Sequence, residues 1–156
     1  MEELEAAFST LIAKELFYLI APNFIGESSS RKVYSFVDPK YVIKFETEDR
    51  HFQNVNEWNV WEHVEQTEYA KWFAPCKYIS PCGKVLIQEY ADPILHSSEL
   101  PKAVPSFFTD LKVLNFGLIG KQLVCVDYGY TRLLEEGLTK KMRAVDWNLP
   151  ERVGYV

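Results

Sequence analysis

The sequence predicts an α+β domain. Three observations carry that reading: helical apolar spacing confined to separate stretches, short β-rich runs bounded by turn residues, and enough apolar mass to close a core around both. The chain has 156 residues, 47% of them hydrophobic and 15% aromatic. That suits one domain without internal repeats.

Leu4, Phe8, Leu11, Ile12, Leu16 and Leu19 recur at helical spacing, so an amphipathic helix is expected from about Glu2 to Ile20, stopped by Pro22 and packed on the domain as core. FIGESSSRKVYSF and KYVIKFE read as two strands joined at Asp38-Pro39. Lys44 sits on the second. A helix follows from Asn54 to about Gln66, with Asn54 and Glu57 in the N-x-x-E order of a capping box. Cys76 to Ile79 and Val85 to Tyr90 give two more strands around Ser80-Pro81-Cys82-Gly83. A linker carrying Pro93, Pro101 and Pro105 leads to a loop and an apolar strand, and a last helix is expected from about Leu133 to Val145.

The formal net charge is −5, which argues against nucleic acid as a partner, because releasing counterions from phosphates needs clustered cations. Lys140, Lys141 and Arg143 form the one basic cluster and read as a solvated face of the last helix. Three cysteines without ligand spacing suggest reduced thiols and a cytoplasmic location. The amino-terminal stretch is acidic before its apolar part, so neither a secretory leader nor a membrane partner is expected. His51, His63 and His96 form no zinc motif, and no GxSxG elbow occurs. Trp58, Trp61 and Trp72 suit a core or a pocket lining.

The segment from Thr109 to Tyr130 is the candidate for chemistry. Asp110 stands five residues before Asn115, and an apolar strand then closes on Asp127-Tyr128-Gly129. One carboxylate to orient an acceptor, followed by an amide and a second carboxylate for magnesium, is what phosphoryl transfer uses. Chance would supply this pair of patterns in roughly one chain in a hundred. Each residue also has a plainer assignment: Asp110 as a cap, Asp127 as the opening of a turn, Lys44 as a solubilising strand residue. For Glu57 two assignments compete. It either completes the capping box, or, sharing a helix face with Val60, Trp61 and Val64, it is a carboxylate on an apolar stripe that needs a cationic partner.

Taken in order, these residues resemble the protein-kinase superfamily. DLKVLN is similar to the catalytic loop HRDxxxxN, VDYG to the DFG element, VIK (Val42 to Lys44) to the VAIK strand, and GESSSRKV (Gly26 to Val33) to the phosphate-covering loop. The resemblance implies a kinase-like amino-terminal lobe, an antiparallel sheet plus one helix, with a strongly reduced carboxy-terminal lobe in a single domain over residues 1–156. It implies ATP and Mg²⁺ as cofactors. Asp110 would be the base, Asn115 and Asp127 the metal ligands, and Lys44 the phosphate clamp locked by Glu57. Gly26, Ser28 and Ser29 would cover the phosphates, and Glu89 to Ala91 would meet the adenine edge. The chain departs from the family in keeping one glycine of the loop, in Phe108 and Thr109 standing for the His and Arg before the catalytic Asp, and in leaving 27 residues after Gly129. It looks like the small kinase-like proteins of bacteriophages and mobile elements, which would place it in a host cytoplasm. Two functions are expected from this: a phosphotransferase acting on a protein or small-molecule hydroxyl, or a pseudokinase that binds a host or viral protein without catalysis.

Overall fold

A computed structural model describes residues 2–47 and 51–147. It is mixed α+β, and its chain divides into two compact units, Met1–Asn54 with Lys77–Tyr90, and Val55–Cys76 with Ala91–Val156.

The first unit is built on a sheet. After helix α1 (Glu2–Ile20) come β1 (Phe24–Glu27), β2 (Arg31–Ser35) and β3 (Tyr41–Glu46), and later β4 (Cys76–Ile79) and β5 (Val85–Glu89). They form one antiparallel sheet in the order β1-β2-β3-β5-β4. Side chains that punctuate the chain set the registers. Asp38 Oδ1 accepts the Lys40 N–H at 3.1 Å and its carbonyl accepts the Tyr41 N–H, an Asx turn that reverses β2 into β3. Ser80 Oγ accepts the Val85 N–H at 3.0 Å, and Gly83 takes φ 73° in the turn before β5, a conformation that favours glycine. The stretch from Phe24 to Phe36, expected as one strand, is two. Ser28 Oγ accepts the Arg31 N–H at 3.2 Å while the Ser28 N–H reaches the Arg31 carbonyl at 2.8 Å, and this closes a hairpin inside it.

Helix α1 has the expected bounds but not the expected role. Phe17 packs edge-on to Tyr34 with ring centroids 5.1 Å apart and lies 5.3 Å from Phe45, and Ala21 is buried just beyond the helix end. Leu11, Ile12, Leu16 and Leu19 remain in solvent. The expectation that this apolar stripe is core is therefore wrong, because Phe17 lies on the other side of the helix and makes the contact.

The second unit is organised by rings. Phe73 stacks on Phe107 at 5.8 Å and stands 5.0 Å from Tyr128 edge-on; Phe107 and Phe108 lie 4.9 Å apart, and Phe116 contacts Phe108 and Trp147. Such pairs add to burial through their offset and edge-on geometry. Helix α2 (Gln53–Val64) turns Glu57, Val60 and Val64 inward. Strands β6 (Asp92–Pro93), β8 (Phe116–Ile119) and β9 (Gln122–Cys125) make one small sheet. Gly117 on β8 lies against the chain: a Cβ there would stand 2.8 Å from Ala91 Cβ and 2.9 Å from the Asp92 carbonyl.

The carboxy-terminal helix expected over Leu133 to Val145 is one turn, α3 (Leu133–Glu136). Gly137 at φ 80° ends it, and residues 142–144 form β10 (Met142–Ala144), paired antiparallel with β7 (Ala103–Pro105) in the supposed linker. Lys140, Lys141 and Arg143 accordingly lie on a loop and an edge strand, all exposed. No helix among the described residues is long and apolar enough to cross a membrane.

Candidate functional site

The candidates fall in both units. In the first, Lys44 lies on β3 between Val33 and Leu86 of the neighbouring strands and is 4% exposed. A solubilising lysine belongs in water, so that plainer assignment does not hold. A buried ammonium is expensive unless matched. Around it the first unit buries Ser30, Arg31, Glu46, Gln53, Asn54 and Gln88. Asn54 Nδ2 donates to the Lys44 carbonyl at 3.3 Å and its Oδ1 accepts from Arg31 Nη1 at 3.4 Å.

Glu46 is the residue that sequence reasoning missed here. Its carboxylate accepts the Gln53 N–H at 3.0 Å and the Asn54 N–H at 3.1 Å, satisfying two of the donors that a helix start leaves open. The cap of α2 thus comes from β3. The Asn54–Glu57 capping box is not formed, and the helix begins one residue earlier than expected. Nothing in local sequence spacing reveals a cap supplied from seven residues upstream.

Ser28 is occupied in its hairpin. Its hydroxyl accepts the Ser30 and Arg31 N–H groups of the turn. Ser29, at the turn's tip, is exposed, and a Cβ on Gly26 would meet open space. Glu89 ends β5 opposite Tyr41, and the Tyr90 N–H is committed to the Lys40 carbonyl at 2.8 Å. Ala91 belongs to the second unit and packs on Gly117.

In the second unit the structure brings four of the candidates into one construction. Glu57 is 0% exposed, and its Oε1 accepts the Tyr128 N–H at 3.3 Å. Tyr128, itself buried, donates its hydroxyl to the Ala74 carbonyl at 2.7 Å and contacts Cys76 Sγ at 3.0 Å. The Asp127-Tyr128-Gly129 segment is therefore held at main chain and side chain together. Asn115 Nδ2 donates to the Asp110 carbonyl at 3.2 Å, and the Asn115 carbonyl accepts the Val126 N–H at 2.8 Å. That links the loop, the start of β8 and the residue before Asp127.

Aromatic packing and a hydroxyl hold the loop that carries Asp110. Phe108 is buried among Phe73, Phe107 and Phe116, Thr109 Oγ1 donates to the Tyr130 carbonyl at 3.1 Å, and the Arg132 N–H reaches the Phe107 carbonyl at 3.2 Å. Asp110 emerges exposed, with Lys112 Nζ 3.4 Å from its Oδ2. An exposed pair at that distance contributes little to stability. Lys112 is a second residue missed in the sequence, although its place two after Asp110 put it within reach.

Asp110 and Asp127 line one cavity with Phe108, Thr109, Cys125, Tyr130 and Thr131. At about 10 Å³ it has room for one water or a bare cation and not for a nucleotide. Among the described residues, no three His, Cys, Asp or Glu side chains converge as a metal cage. A carboxylate and an amide oxygen are donor types that Mg²⁺ takes, but Asn115 is not among the residues that line the cavity shared by Asp110 and Asp127.

Compared with protein-family models, with curated proteins and with solved structures, the chain matches none.

Proposed function

We propose that this chain is a minimal kinase-like protein that binds ATP with Mg²⁺ and transfers the γ-phosphoryl group to a hydroxyl of a protein or a small molecule. The observation that carries the reading is the buried Glu57 carboxylate bonded to the Tyr128 N–H. A fully buried helix carboxylate that accepts from the backbone beside Asp127 ties that loop to α2, and a fixed loop is what chemistry by positioning requires. In this reading Lys44 neutralises the α- and β-phosphates, Asp127 and Asn115 hold magnesium, and Asp110 accepts the acceptor's proton. Catalysis then comes from positioning and charge and needs no covalent intermediate.

A second reading is a pseudokinase that binds nucleotide or a partner protein without transfer. The observation that favours it is the cavity at Asp110 and Asp127, which at about 10 Å³ has no room for a nucleotide.

Thermal melting with and without ATP and Mg²⁺ tests the shared part. At a hundred times its dissociation constant the nucleotide stabilises by about 2.7 kcal/mol, a shift that Asp127→Ala should remove. Equal shifts in both proteins, or none in either, would reject the nucleotide site. Gly26→Ala, whose Cβ meets no atom of the fold, should leave the unliganded protein folded, with a melting point equal to or slightly above the parent's because the unfolded chain loses freedom. Transfer is tested with radiolabelled ATP and host lysate. Asp110→Asn should lose label while keeping the nucleotide shift; absence of label with the parent chain leaves the pseudokinase reading.

A further inference from the structure

Two side-chain oxygens are buried without a hydrogen-bond partner among the described residues, Ser30 Oγ and Thr131 Oγ1. A buried hydroxyl left without a partner is costly, and a water or an ion is the usual remedy. Thr131 lines the cavity of about 10 Å³ that Asp110 and Asp127 share. Two other polar groups of that wall are engaged: Thr109 Oγ1 donates to the Tyr130 carbonyl at 3.1 Å, and Cys125 Sγ to the Asp127 carbonyl at 3.3 Å. Thr131 Oγ1 is thus a buried, uncommitted hydroxyl in a wall that also carries two carboxylates.

We infer that Thr131 is an oxygen donor to a single divalent cation of the Mg²⁺ class, held with Asp127 and with Asp110 at the mouth, and bound before any nucleotide arrives. Size admits one water or one bare ion. Charge separates the two, because two carboxylates on one small cavity favour a cation over a neutral water. A hydroxyl oxygen beside them is a hard donor of the kind that Mg²⁺ and Mn²⁺ accept. Asp110 is exposed whereas Asp127 is half-buried, so an ion seated there keeps its remaining waters on the Asp110 side, and Mg²⁺ usually does keep several. Lys112 meets Asp110 in solvent, 3.4 Å from Oδ2, and an exposed pair of that kind is weak. It leaves Thr131 unsatisfied. Asn115 spends its Nδ2 on the Asp110 carbonyl and does not line the cavity, whereas Thr131 supplies a neutral oxygen where the cavity is. The inference rests on the proposed function only for what the ion does in transfer, since the binding itself needs no nucleotide.

Mn²⁺ titrated into the full chain without nucleotide, with the free ion followed by electron paramagnetic resonance, tests this. One ion should bind per chain. Thr131→Val keeps the shape of the side chain and removes its oxygen, and it should weaken that binding by at least about tenfold, since even outer partners of a metal are worth about 10- to 100-fold in affinity. Thr131→Ser should bind as the parent does, and Asp127→Asn should abolish binding. Should Thr131→Val fail to fold, Thr131→Ala serves in its place. Equal binding by the parent and Thr131→Val overturns the inference and leaves a water as the partner of Thr131. So does a parent that binds no Mn²⁺, a loss in Thr131→Ser as large as in Thr131→Val, or binding that survives Asp127→Asn. A nucleotide shift in melting without Mn²⁺ binding would overturn this inference and leave the proposed function standing; Mn²⁺ binding without a nucleotide shift would do the reverse.

Discussion

The two units bury different things. Of the described residues, the first buries Ser30, Arg31, Lys44, Glu46, Gln53, Asn54 and Gln88, whereas the second buries only Glu57 and Asn115 among polar side chains and fills its interior with Phe73, Phe107, Phe108, Phe116 and Tyr128. Polar interiors cost desolvation and repay it only when every group is satisfied. Aromatic interiors contribute area and need no partner for the ring. The second unit thus looks built for stability around two polar exceptions, both attached to the segments that carry Asp110 and Asp127. The first is built around a polar network in which the Glu46 cap and the Asn54 amide join Arg31 and the Lys44 carbonyl to the start of α2.

The sharpest way to break this comparison is to attack the ring cluster. Phe107→Ala removes a side chain in contact with Tyr69, Phe73 and Phe108 and should destabilise the chain by about 3–5 kcal/mol in urea titration. A loss below about 1 kcal/mol would mean the cluster is not the second unit's core. Glu46→Ala comes next. It removes both acceptors from the start of α2 and should cost about 1–2 kcal/mol, with the Gln53 and Asn54 amides losing hydrogen-exchange protection first. If exchange rises evenly instead, the cap is not what holds that end.

The smallest effect concerns pH. Glu99 accepts the His96 and Leu95 N–H groups at 2.8 and 2.9 Å, and these bonds, the His96 one first, hold its carboxyl below the ordinary glutamate value. A depressed native pKa stabilises above the unfolded value, near pH 4.3, and is lost as pH falls through the native value. Carboxyl chemical shifts followed through that range should show Glu99 titrating later than a free glutamate, and Glu99→Gln should flatten the acid limb slightly.

Much of the first unit was legible in sequence because its signals are local. Asp38-Pro39 and Ser80 to Gly83 mark turns within four residues, and the runs between them are rich in β-branched and aromatic residues. What failed was non-local. The α1 pattern predicts an apolar face but says nothing of what covers it. Strand β10 exists because β7, nearly forty positions earlier, offers it an edge, and a residue count cannot anticipate that. The Glu46 cap hid for the same reason, and a nearer N-x-x-E match drew the assignment to Glu57. At the candidate site, the residue types and spacing of Asp110, Asn115 and Asp127 were readable. Their support by Thr109, Phe108 and Tyr128 was not, since each acts through a partner distant in the chain.

The hydroxyl of Tyr128 carries a last consequence. A phenylalanine there would fill the same space, but the tyrosine adds a bond to the Ala74 carbonyl. Swinging the ring outward would strand that carbonyl and forfeit the bond, at about 1–3 kcal/mol. In population terms this thins the outward conformer by roughly five- to 150-fold before any ligand arrives. The segment beside Asp127 therefore behaves as a latch set at rest in one position, and a molecule that needed the other would bind weakly by that same factor.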